Sequence, residues 1–193
     1  MIKKFLAIFF LVAIASNSVA FAEEPTQAQI SEALLQLPSV RWIPGQPFYF
    51  AITLKEKISW LIRPNPAQKA QFDLTTSGKR LKEVYLLVQK NDYKRGKETL
   101  SNYKKTLEKA ASETEKAQTQ GQNPVQLLNN VQNSFATQKI VLDQLYATES
   151  AKEQMGNEIS DAQKSLLAAA KKLEKFRPDI FIPFQEASKS ANF

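Results

Sequence analysis

Residues 67–121, AQKAQFDLTTSGKRLKEVYLLVQKNDYKRGKETLSNYKKTLEKAASETEKAQTQG, hold two amphipathic repeats back to back. In the first, Ala70, Leu74, Ser77, Leu81, Val84 and Val88 recur every three or four positions, which predicts a helix over 67–90 with one buried stripe. Asn91-Asp92 interrupts the pattern and offers an N-cap. Tyr93, Gly96, Leu100, Tyr103, Leu107, Ala110, Thr114 and Ala117 then resume the spacing to about Gln120, and Gly121 is placed to end that helix. Gly78 inside the first helix costs about 1 kcal/mol relative to Ala and either permits close packing or is tolerated. Long rods joined by a tight turn bury their stripes on each other and on further helices, and no alternating β-branched run offers a sheet. The fold class is therefore all-α: an antiparallel bundle of four to five helices.

Working outward, Phe50, Leu54, Ile58 and Leu61 keep helical spacing through 48–62, with Lys55, Glu56 and Lys57 on the other side. Pro64-Asn65-Pro66 stops that helix, and Pro66 suits the first turn of the next. Residues 23–47 carry Pro25, Pro38, Pro44 and Pro47. They leave room for a short helix over 26–37, bounded by Pro38, and a turn-rich connector holding Trp42. Downstream, Asn123-Pro124 reads as an N-cap and first helical residue. Leu128, Val131, Phe135, Leu142 and Leu145 carry a stripe to about Ala147. Ser150 and Glu153 match a capping box. Met155, Ile159, Ala162, Leu166, Ala169 and Leu173 continue to about Phe176, and Pro178 ends the run. The apolar tail IFIPF, 180–184, folds back on the bundle or stays out as a contact. The helices are too long for a tetratricopeptide-type solenoid, whose Trp and Gly pattern is also missing.

Residues 1–22 read as a signal peptide: Lys3 and Lys4, an apolar run over 5–15, a polar break at Ser16-Asn17-Ser18, and the small-x-small site Ala20-Phe21-Ala22. The run is short for a bilayer span of about 20 residues, so cleavage after Ala22 is expected, not an uncleaved anchor. No later segment has the length and apolarity to cross a membrane, and the expected location is extracytoplasmic, periplasmic or secreted. The division that follows is a leader over 1–22, a Pro-rich segment with a short helix over 23–47, the bundle over 48–176 and a tail over 177–193.

Composition narrows the chemistry. There is no Cys and no His among the 193 residues, which removes disulfides, thiolates, imidazole bases and most transition-metal sites. No calcium loop, phosphate loop or dinucleotide fingerprint occurs, so no cofactor and no metal is expected. The net charge is +7, and its excess is local: residues 67–121 hold 12 Lys and Arg against 7 Asp and Glu. Lys79, Arg80 and Lys82, with Lys90, then Lys94, Arg95 and Lys97, then Lys104 and Lys105, are the candidate polyanion-binding residues. If the two long helices are antiparallel, their junction gathers Lys82, Lys90, Lys94 and Lys97 near Tyr85 and Tyr93. Solvated helix faces account for the same lysines. Glu149 with Glu153, and Asp92 near Glu98, are acidic pairs that helical spacing puts on solvent faces, so no catalytic residue is assigned. Trp42, Trp60, Phe48, Tyr49 and Phe50 make an aromatic-rich first third, expected to be mostly core or capping.

The stretch PGQPFYFAITLKEKISWLIRPNPAQKAQ, then GKRLKEV, then NDYKRGKETLSNYKKTLEKA, resembles a bacterial extracytoplasmic domain family of unknown function, number 5667. The residues that carry the likeness are Pro44, Pro47, Phe48, Tyr49, Glu56, Lys57, Lys69, Ala70, Arg80, Leu81 and Glu83, and it extends loosely over 40–175. Ile52, where members often have Lys, and Ser77, where they favour Ala, depart from the pattern. The resemblance implies a secreted bacterial helical domain and no activity. It also implies that Arg80 and Glu83 act as a polar fastener between helices, where spacing alone gives an ordinary i,i+3 pair.

The expected function is a non-catalytic helical binding or scaffold protein of the bacterial envelope, not an enzyme. Its expected partner is an acidic envelope polymer or protein, with no nucleic acid. The alternative is a periplasmic chaperone or stress sensor presenting an apolar concave surface.

Overall fold

The computed structural model describes residues 25–122 and 124–181. The expected leader and its cleavage site, the Asn123 cap and the tail beyond residue 181 lie outside the described residues. Six α-helices follow in order: α1 (Gln27–Gln36), α2 (Tyr49–Leu61), α3 (Pro66–Val88), α4 (Tyr93–Thr119), α5 (Pro124–Ala147) and α6 (Glu149–Leu173). A 3-10 turn, Pro178–Phe181, comes last, and there is no strand among the described residues.

Local chemistry sets the ends. Thr26 and Gln29 form a capping box at α1. At α3, Asn65 Oδ1 accepts from the Gln68 N–H at 2.9 Å with Pro66 in the first turn. Asn91 adopts the left-handed region (φ 56°), so the Asp92 N–H reaches back to the Leu87 carbonyl at 2.9 Å. The Asp92 side chain then caps α4 through the Arg95 N–H. Gly121 (φ 66°) ends α4 in the same way, the Gln122 N–H bonding the Ala117 carbonyl at 2.9 Å. The expected Ser150–Glu153 capping box does not form. One residue, Thr148, separates α5 from α6, its hydroxyl donates back to the Gln144 carbonyl at 2.9 Å, and α6 starts at Glu149 without a side-chain cap.

The predicted stripes of α3 to α6 are the core. Leu81, Leu100, Tyr103, Leu107, Phe135, Leu142, Leu145, Met155, Ile159, Leu166 and Leu173 are all under 2 % exposed, and burial of each such side chain contributes about 1.5–3 kcal/mol. Ile180 of the tail joins this core.

The arrangement differs from a simple antiparallel ring in two respects. The bundle is a body of four long helices with α1 and α2 laid on its outside. In addition, α4 neighbours α6 more than α5, and the two run parallel. Lys97 pairs with Glu158 near their starts, and Glu115 pairs with Lys172 and Lys175 near their ends. Likewise Gln71 meets Asn130 and Ser77 meets Gln138, so α3 and α5 are parallel. The body is two antiparallel hairpins, α3–α4 and α5–α6, side by side in the same sense. Small residues explain the cross-contact: Gly96, Ala110, Ala111 and Ala117 on α4, and Ala151, Ala162, Ala169 and Ala170 on α6, are all buried and let the backbones approach.

The second helix is turned around relative to expectation. Phe50, Leu54, Ile58 and Leu61, expected to pack, are more than half exposed, and no residue of α2 is buried. Phe48, expected in the core or a cap, is 64 % exposed with a left-handed backbone (φ 67°). The reason is the chemistry of the α3 face beneath: Asp73, Arg80 and Glu83 are buried there and demand polar partners. The polar side of α2 supplies them.

Candidate functional site

Tyr49, Thr53, Glu56 and Trp60 follow one another at spacings of four, three and four, which puts them on one side of α2. That side runs antiparallel to α3. Tyr49 Oη donates to Glu83 Oε2 at 2.8 Å, Glu56 bonds Arg80 and accepts from Lys79 Nζ at 2.5 Å, and Trp60 Nε1 donates to Asp73 Oδ2 at 2.9 Å. Arg80 also donates to Glu83 at 2.7 Å and 2.9 Å. Five ionisable side chains from two helices thus form one saturated cluster, with Glu83 fully buried.

Electrostatics follow from that geometry. Burial pushes Glu83 up, and Arg80 and the Tyr49 hydroxyl pull it back only in part. Burial, then the neighbouring Glu83 charge, raises the Tyr49 phenol well above its ordinary range, so the hydroxyl remains a donor. Burial would lower Arg80, but Glu83 and Glu56 more than offset it, and the guanidinium stays charged. Asp73 is pushed by burial up to about 6, against the Trp60 hydrogen bond and the Lys109 charge, which lower it.

Beside this cluster a groove of about 640 Å3 opens between α2, α3 and α4. Trp60, Asp73 and Phe72 line it with the Tyr49–Arg80 cluster, and Lys57, Lys105 and Lys109 stand along it. The Trp60 ring is covered by Lys69 at 4.4 Å and approached by Lys109 at 5.9 Å. Among the described residues, no carboxylate lies within ion-pair distance of Lys57, Lys105 or Lys109.

The nine lysines and arginines singled out from the sequence are placed in three different settings. Lys79 and Arg80 are bound to Glu56, and Arg80 is the inter-helix fastener that the family likeness implies. Lys82 donates to the carbonyls of Leu34 and Leu37 at 2.7 Å and 3.3 Å, tying α3 to the end of α1. At the α3–α4 junction, Lys90 and Lys94 are exposed, Arg95 pairs with Asp92 at 2.5 Å and Lys97 pairs with Glu158 at 3.1 Å. Arg95 also covers Gly45 (φ 89°), so closely that a Cβ there would overlap its guanidinium. Lys104 and Lys105 lie on the outer side of α4, between the first groove and a second one against α6, and Lys105 lines both. Of the nine, only Arg80 and Lys105 reach the α2–α3–α4 groove. Glu56, Lys57, Asp73 and Lys109 were not singled out as site residues. The signal for Glu56 and Asp73 is the matching of two polar stripes, 49-53-56-60 on α2 and 73-76-80-83 on α3; Lys57 and Lys109 stand in neither stripe.

Among the described residues no three acids, histidines or cysteines gather as metal ligands, and no helix is long and apolar enough to cross a membrane. No curated protein matches the chain, and no solved structure does. Residues 41–138 match the family model of a domain of unknown function (DUF5667). The match spans just over half of the chain. It takes in most of the connector after α1, all of α2, α3 and α4, and α5 as far as Gln138, so of the likeness over 40–175 the part beyond residue 138 lies outside it. The polar clamp and the groove fall wholly within the matched stretch, and the chain belongs to the DUF5667 family.

Proposed function

We propose that this chain is an exported, non-catalytic binding domain of the bacterial envelope, and that it holds an acidic envelope polymer in the groove between α2, α3 and α4. One observation carries the reading. Lys57, Lys105 and Lys109 stand at the groove without ion-pair partners among the described residues, while Glu56 and Glu83 are neutralised within the clamp. A polyanion gains from such a row of unpaired cations. Export is supported by the leader pattern at 1–22. Non-catalysis is supported by the state of the carboxylates. Glu56 and Glu83 are tied to cations, and Asp73 accepts only from the Trp60 indole, with no nucleophile or second carboxylate bonded to it among the described residues. The chaperone alternative calls for a concave apolar surface, whereas the exposed apolar residues of α2 lie along the outer side of one helix.

Retention on an immobilised polyanion, with heparin as the probe, tests the reading. Retention that falls with rising salt is expected. Lys105→Glu with Lys109→Glu should abolish it while helical circular dichroism is unchanged, and Lys94→Glu with Lys97→Glu should weaken it far less. Retention that survives the first pair of substitutions, or that ignores salt, overturns the assignment.

A further inference from the structure

The clamp leaves the other half of α2 facing away from the bundle. Phe50, Leu54, Ile58, Leu61 and the following Ile62 are 52 % to 74 % exposed, and Phe48 at the start of the helix is also out. Six large side chains at this exposure present on the order of 600 Å2 of apolar surface, at or above the largest patch of an ordinary monomer. Lys57 flanks the apolar sector on one side and Lys55 on the other, both exposed. The one acid of α2, Glu56, is turned inward and bound by Lys79 and Arg80. Over residues 41–63 the remaining charges are Arg41 and Arg63, both positive. An apolar strip about 20 Å long with cations along both edges and no exposed acid has the pattern of a helix that lies in a membrane interface.

We propose that the outer face of α2 rests on the headgroup region of an anionic lipid bilayer. The proposal uses the apolar sector of α2 that turns away from the clamp; it shares Lys57 and Leu61 with the rim of the groove but does not depend on the polymer reading. Phe50, Leu54, Ile58, Leu61 and Ile62 enter the acyl boundary, Lys55 and Lys57 meet lipid phosphates, and the Trp42–Phe48 edge-to-face pair sits at headgroup level. A second copy of the chain is a poorer occupant on two counts. The strip falls short of the roughly 800 Å2 per partner that a stable interface buries. Face-to-face packing of two strips would also bring Lys55 and Lys57 against their own kind with no acid to offset them. The tail is a poorer occupant too, because the chain reaches Phe181 beside α5 and α6, whereas α2 lies along α3. Phe48 adds an independent sign. A left-handed backbone and an exposed site both favour glycine there, and the ring makes one edge-to-face contact, with Trp42, while most of it stays in the open.

The chain has no cysteine, so single thiols can be placed at will in the full-length protein. Ile58→Cys carrying an environment-sensitive fluorophore is titrated with vesicles of phosphatidylcholine containing phosphatidylglycerol, and with phosphatidylcholine alone. The expected result is a blue shift with the anionic vesicles at a concentration at least tenfold lower than with the neutral ones. The same label at Lys164→Cys, exposed on α6, should not shift. Leu54→Asp with Leu61→Asp should weaken the response more than tenfold, and Phe48→Gly should weaken it severalfold while raising the melting temperature. Lys105→Glu with Lys109→Glu should lose heparin retention and keep the vesicle response, so failure of one reading is separable from failure of the other. A label at position 58 that stays in water on anionic vesicles overturns the proposal, even if the chain binds them through another segment. A shift that follows protein concentration without lipid overturns it in favour of a second copy, and a shift given only by unfolded protein overturns it in favour of a client polypeptide.

Discussion

Asp73 carries a carboxylate to a position where only 4 % of the residue remains exposed, with one hydrogen bond, from an indole, to support it. Burial without a matching cation is why its pKa rises to about 6. The folded state therefore holds a proton that the unfolded chain has released once the pH passes the ordinary value of 3.8. The contribution of Asp73 to stability is most favourable below that value, falls as pH rises towards about 6 and is lost above it. Asp73→Asn keeps an acceptor for Trp60 and removes the titration. Between pH 4 and pH 7 the difference in unfolding free energy between the two chains should move by about 2 kcal/mol in favour of Asn, read from urea titrations at both pH values. An unchanged difference would show that the carboxylate is solvated. This residue was not legible beforehand, because an acid on a helix is ordinarily a solvent-face residue. Only the partner stripe on α2 marks it as buried. The unpaired lysines were half legible: the basic excess of 67–121 is plain in the sequence, but which lysines are consumed internally depends on carboxylates and carbonyls from other helices.

At the level of the element, α2 is held by charge and hydrogen bonds where its neighbours are held by apolar burial. Periodicity located it correctly, since the predicted 48–62 matches Tyr49–Leu61 to within a residue. It could not say which side docks, because an apolar stripe predicts burial only where the surface beneath is apolar too. The surface beneath is Asp73, Arg80 and Glu83. This makes α2 dependent on Arg80. Arg80→Ala strands Glu83 with no cation in a buried site and should cost about 3 kcal/mol at pH 7. The loss should shrink as the pH falls and Glu83 takes up a proton. Arg80→Leu together with Glu83→Leu should return to within about 1 kcal/mol of the parent, because replacing a buried pair by apolar groups removes the desolvation cost on both sides. A double substitution as damaging as Arg80→Ala, measured by thermal unfolding, would mean that the pair itself supplies the stability. The stripes of α3 and α4 were legible down to their turn residues, since Asn91, Asp92 and Gly121 end or cap helices for reasons confined to a few residues.

For the whole molecule, the length and spacing of the helices gave the all-α class, but the order of packing came from shape. Short turns predict that α3 pairs with α4 and α5 with α6. The four-residue α4–α5 turn, as short as the one between α3 and α4, would pair α4 with α5 equally well, and the small-residue faces of α4 and α6 decide it in favour of a parallel contact. Zero-length carbodiimide coupling joins amines to carboxylates in direct contact. It should yield Lys97–Glu158 and Lys172–Glu115 linked peptides, pairs found at 3.1 Å and 2.9 Å. Linked peptides joining the start of α4 to the end of α6 would instead indicate an antiparallel pair. The surface that this body shows to its surroundings depends on how α2 lies upon it, with a cationic groove on one side of that helix and an oily strip on the other. Thiol reactivity along α2 measures this directly, using single cysteines at positions 53, 54, 58, 60 and 61 of the otherwise cysteine-free chain. Cysteines at 54, 58 and 61 should react nearly as fast as in the unfolded chain, and those at 53 and 60 at least tenfold more slowly. Protection at 54, 58 and 61 with open reactivity at 53 and 60 would place the apolar stripe against the bundle and contradict the polar clamp on which the account rests.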